Sequence, residues 1–134
     1  MPLAPWMKWL LQFAGVFNLL AGFSMVVFIH EGYKLLGMTK PELVMPAQLI
    51  GILVALFGVG YLMVAADPLT NRNILLLGFW TKLLGPLLAL YYVAVGKLPW
   101  TFVPLVFVAD LVYLPPFAMI WLRLRRLALM NARS

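Results

Sequence analysis

Four apolar stretches, residues 6–29, 43–66, 73–95 and 101–122, leave this chain almost no freedom of fold. Each is close to the roughly 20 residues that an α-helix needs to cross the hydrocarbon core of a bilayer, where a helix satisfies its backbone hydrogen bonds internally. A membrane strand would run about 10 residues with alternating polarity, and these stretches neither alternate nor stop so early. Only 10% of the residues are charged and 65% are hydrophobic, whereas a soluble domain carries about 25% charged residues. The prediction is an all-α membrane fold: four transmembrane helices in an antiparallel up-down bundle, forming one integral membrane domain over residues 1–134 with a basic cytoplasmic tail from residue 123. The first stretch outruns the roughly 7–15 apolar residues of a signal peptide and is read as a retained helix.

Charge sorts the connections. Lys8, Arg72, Arg123, Arg125, Arg126 and Arg133 fall on one side of the predicted spans, and Lys34, Lys40 and Lys97 on the other. The positive-inside rule then places both termini in the cytoplasm of a bacterial inner membrane, and it accounts for the formal charge of +6 without a nucleic-acid partner. The chain has no cysteine, which excludes disulfides and thiolate chemistry, and a single histidine, His30, which leaves little scope for a haem or copper centre; no metal site is expected.

Two ionisable residues interrupt the apolar runs: Lys82 in the third and Asp110 in the fourth. A charge at the bilayer centre costs roughly 2.5–3.5 kcal/mol on insertion scales, so such groups are usually paired and are functional candidates. The connection at residues 96–100 is short enough to demand a helical hairpin. Counted from Lys97, Lys82 lies fifteen residues back and Asp110 thirteen forward. At about 1.5 Å per residue their depths differ by roughly 3 Å, which allows a buried ion pair.

Helical spacing supplies the company for that pair. Gly15, Asn18 and Gly22 share one face of the first span; Gln48, Gly51, Ala55, Gly58 and Leu62 share one face of the second; Gly78, Lys82, Gly85 and Ala89 share one of the third. Small residues let helices approach closely, and Gln48 can bond across an interface. Pro86 is expected to free the carbonyl of Lys82, and Pro115-Pro116 to break the fourth span below Asp110 and Tyr113. If these stripes point inward, Asn18, Lys82 and Asp110 meet at mid-membrane with Tyr113 below and Gln48 nearer the outer mouth. Trp80, Phe79 and Phe107 are candidate apolar walls. The plain reading of the cluster is a pair that fixes helix register. The functional readings are a proton or ligand site.

The longest connection, residues 30–42, is read as a short interfacial helix ended by Gly37. His30 and Glu31 there are secondary candidates, for proton access or a weak metal pair. Adjacent helical residues point in different directions, so a solvated helix end is the simpler reading. Residues 67–73 are expected to form a turn with Pro68 and a cap-capable Asn71.

Taken together, Gln48-Leu49-Ile50-Gly51, Gly58-Val59-Gly60-Tyr61, Ala66-Asp67-Pro68, Lys82-Leu83-Leu84-Gly85-Pro86, the hairpin Gly96-Lys97-Leu98-Pro99-Trp100, and Asp110 followed by Leu114-Pro115-Pro116-Phe117 make a chain that resembles the DoxX-like group of small four-helix bacterial membrane proteins. The resemblance covers nearly the whole chain. It implies a small membrane subunit of the kind linked to quinone-dependent sulfur oxidation and oxidative-stress complexes, and it carries over no catalytic residue. The expectation is an accessory or binding subunit of a redox- or lipid-related system, holding a quinone or lipid near Lys82 and Asp110. It would sit in the lipid bilayer with a membrane protein partner or as a homo-oligomer. A proton-coupled carrier of a small solute is the alternative, and a lipid-modifying enzyme the third reading. No nucleophile, base and orienter stand together, which disfavours an enzyme acting alone.

Overall fold

Pro5, Pro46 and Pro68 each stand in the first turn of a long helix, where a missing N–H costs nothing and a fixed φ favours the helical start. In the computed structural model, which describes residues 2–133, these helices are α1 (Pro5–Val27), α3 (Met45–Ala66) and α4 (Pro68–Ala94), with the short α2 (Ile29–Leu35) between the first two. The remaining residues form α5 (Phe102–Ala109), a single 3-10 turn (Leu111–Tyr113) and α6 (Leu114–Arg133). The described residues contain no strand. Four helical segments, α1, α3, α4 and the α5–α6 unit, are long and apolar enough to cross a membrane, consistent with a multi-pass membrane protein.

Local chemistry sets the ends. Gly37 at φ +71° closes α2, with the Met38 N–H bonded to the Tyr33 carbonyl, and Gly96 at φ +79° closes α4, with the Lys97 N–H bonded to the Tyr92 carbonyl. Both are the left-handed stop that glycine adopts without a Cβ penalty. The expected short helix ended by Gly37 is therefore present. The turn expected at residues 67–73 shrinks to Asp67 alone, because Pro68 starts α4 at once. Asn71 spends its side chain on the Met63 carbonyl at the end of α3 (2.9 Å).

α1 makes its most extensive contact with α3, α3 packs on α4, and α4 on α5 and α6. The α1–α3 interface is backbone against backbone. A Cβ on Gly58 would lie 2.6 Å from the Gly15 carbonyl oxygen, and one on Gly51 2.8 Å from the Gly22 carbonyl oxygen. The small-residue stripes predicted on the first two spans thus face each other. The stripe predicted on the third is rotated: Leu75, Gly78, Lys82 and Pro86 are buried, while Gly85 is exposed with open space beside it.

The tail predicted from residue 123 is not a separate segment. α6 continues to Arg133, Leu124 is fully buried, and Ser134 lies outside the described residues. The apolar core gathers Met7, Leu11 and Ala14 of α1, Tyr61 and Val64 of α3, Leu75 of α4 and Phe117, Ile120 and Leu124 of α6. Large apolar side chains on every span remain exposed, among them Leu20, Leu53, Leu88 and Val108. In water such a surface would be a liability; against lipid tails it is a match.

Candidate functional site

Lys82 is the most deeply buried charge among the described residues, with its side chain 4% exposed. Its ammonium has three N–H donors and meets three acceptors: the Ala109 carbonyl at 2.9 Å, Asn18 Oδ1 at 3.2 Å and Asp110 Oδ1 at 3.4 Å. The apolar flank of the site is aromatic. Nζ lies 4.7 Å from the Tyr113 ring centroid and 5.8 Å from that of Tyr61, close enough for cation–π attraction.

The Ala109 carbonyl is available because the helix changes type at that point. In a regular α-helix it would accept from the Tyr113 N–H, which instead bonds to the Asp110 carbonyl at 3.0 Å in the 3-10 turn. Pro115 and Pro116, which cannot donate to the carbonyls of Leu111 and Val112, favour this break one turn further on. Asp110 sits at the junction with φ −131° and ψ −60°, outside helical geometry. The carbonyl that serves Lys82 is therefore that of Ala109, not the Lys82 carbonyl expected from Pro86, which α4 carries without interruption.

Asn18 ties three spans together. Its Oδ1 accepts from Lys82 on α4, and its Nδ2 donates to the Val54 carbonyl on α3 at 3.2 Å. Asp110 is the open member, with its side chain 31% exposed. Tyr113 is buried and presents its ring face to Lys82. Gln48 is not part of the cluster; it donates to the Val26 carbonyl at 3.1 Å and fastens α3 to the last turn of α1. His30 is paired with Lys40 in the connection before α3, and Glu31 lines a separate cleft. Among the described residues no group of three or more His, Cys, Asp or Glu side chains stands close enough to hold a metal ion.

Of the three expected walls, Phe79 is partly buried against the apolar core. Trp80 and Phe107 are exposed, at 47% and 60%. The rings at the site run instead from Phe13 and Phe17 through Tyr113 and Phe117 to Tyr61, with successive centroids 5.1–6.3 Å apart. Tyr61 and Phe117 are fully buried. Tyr61 rests on Gly78, whose added Cβ would lie 2.5 Å from the ring, and its hydroxyl adjoins the Thr81 side chain. The neighbouring Thr81 hydroxyl donates to the Gly78 carbonyl at 2.9 Å. The legible signal for Tyr61 was its position three residues beyond Gly58, on the buried side of α3.

A second concavity lies under α2. This cleft of about 430 Å³ is lined by Met25 and Phe28 at the end of α1, Ile29 and Glu31 of α2, Ala47 of α3 and Phe102 of α5. The Thr101 hydroxyl donates to the Leu36 carbonyl at 2.8 Å and latches the end of α2 to the start of α5. Its volume falls in the usual range for small-molecule sites, about 300–1,000 Å³, and its lining is mostly apolar.

Compared with protein-family models, with curated proteins and with solved structures, the chain matches none.

Proposed function

We propose that this chain is a DoxX-like multi-pass protein of a bacterial inner membrane, and that it serves as a small accessory subunit of a redox- or lipid-related system by holding a quinone or lipid. The spans alternate in direction and both termini face the cytoplasm. The pairings Gly15 with Gly58, Asn18 with Val54, Gly22 with Gly51 and Val26 with Gln48 support opposed directions for α1 and α3, since one number rises as the other falls. The distribution of the arginines supports the orientation.

The observation that carries the binding reading is the mostly apolar cleft beneath α2, with Glu31 in its lining. It suits an amphiphile better than Lys82 does, because the three donors of Lys82 are already engaged and a ligand carbonyl there would have to displace one. The Lys82–Asp110 pair then acts as the register lock on which the cleft is built.

The test is native mass spectrometry of the protein extracted from its own membrane, with lipid and quinone analysis of what stays bound. We expect near-stoichiometric amphiphile on the wild type and its loss in Ala47→Trp, which fills the cleft. A wild type that emerges bare ends this reading. The second reading, a proton-coupled carrier, is favoured by the half-open Asp110 beside a sealed Lys82, and a proton flux in vesicles abolished by Asp110→Asn would establish it.

A further inference from the structure

The end of the molecule away from α2 carries a groove of a different character. It measures about 570 Å³ and runs between the start of α1 and the length of α6 from Met119 to Met130, lined by Met7, Met119, Leu122, Arg123, Arg126 and Met130. α6 bears Arg123, Arg125, Arg126 and Arg133 and no acidic residue. Arg125 is committed elsewhere, stacked 5.7 Å from the Trp121 ring. Arg123 is half-buried and lines the groove, with its Nε donating to the Pro2 carbonyl at 2.7 Å. Arg126, three residues on and therefore on the same face, is exposed and forms no ion pair with a carboxylate among the described residues.

We propose that this groove binds one anionic glycerophospholipid, with the headgroup phosphate between Arg123 and Arg126 and an acyl chain against Met7, Met119 and Met130. Among the described residues no carboxylate pairs with Arg123 or Arg126, so the groove offers two guanidinium groups to an anion from outside. Guanidinium groups recognise phosphate oxygens in a planar, two-point geometry that an ammonium cannot reproduce. Flexible thioether side chains fit a lipid tail without demanding one shape. A free phosphate would use the arginines and leave the apolar wall idle; a zwitterionic lipid offers the same phosphate but brings its own cation back beside the two arginines. An anionic phospholipid engages both.

The measurement is native mass spectrometry of detergent-purified full-length protein offered equal amounts of phosphatidylglycerol and phosphatidylcholine with the same acyl chains. We expect one phosphatidylglycerol to be retained with about thirtyfold preference, the scale set by two basic groups near an anionic headgroup. Arg126→Gln should cut that preference severalfold, and it is the decisive variant because Arg126 makes no ion pair with a carboxylate among the described residues. Arg123→Gln should act in the same direction, and Arg125→Gln should leave the preference unchanged. Equal retention of the two lipids overturns the proposal, as does an Arg125→Gln effect equal to that of Arg126→Gln, which would mean general attraction to basic helix rather than a site. The reading of the cleft beneath α2 stands or falls separately, on Ala47→Trp.

Discussion

Lys82 shows how a buried charge is made tolerable when every donor has a designated acceptor: a carboxylate, an amide oxygen and one carbonyl released by a break in the backbone. Removing the ammonium leaves all three acceptors without a donor, whereas removing only the charge of Asp110 leaves Lys82 with two strong hydrogen bonds. We therefore expect Lys82→Met to cost about 2 kcal/mol in a detergent unfolding titration, below the usual range for breaking a buried pair because Asp110 is partly exposed. Asp110→Asn should cost less. The double substitution should reveal a coupling of about 1 kcal/mol, and strictly additive single effects would sink the pair as a stabilising contact. The matched depths of the two residues were legible from residue numbers alone. The Ala109 carbonyl was not, since its release depends on where the fourth span changes helix type.

At the scale of elements, α1 and α3 form the tightest unit, and the glycines between them stand where one backbone meets another. Gly58→Ala drives a methyl into the Gly15 carbonyl and should destabilise by about 1–3 kcal/mol, the usual cost of overpacking. Gly85→Ala meets nothing within 4 Å and should stabilise α4 by about 0.5–1 kcal/mol through helix propensity. Thermal unfolding of the two variants side by side checks both signs; equal losses would mean that α4 is rotated from its described position. Sequence spacing identified the facing stripes of α1 and α3 but placed Gly85 and Ala89 inward with Lys82. A 3.6-residue period marks which residues share a face. It does not say how wide that face is or where a neighbour will cover it.

For the whole molecule, the absence of cysteine makes orientation directly measurable. Arg72→Cys and Lys97→Cys place single thiols at opposite ends of α4. A membrane-impermeant maleimide applied to intact spheroplasts should label Lys97→Cys and spare Arg72→Cys until the membrane is opened. Equal labelling of both would overturn the proposed topology. The number of membrane-length helices and the company of Lys82 and Asp110 follow from the sequence by itself, because span length is a local property and an unpaired charge in an apolar run demands its counterpart. Tertiary structure alone decided that Tyr61 rather than Trp80 walls the lysine, that α6 buries Leu124 in the core instead of trailing away, and that two clefts open at the ends. Those outcomes depend on the rotation of each helix about its axis and on the break at Asp110, both set by contacts between residues far apart in the chain.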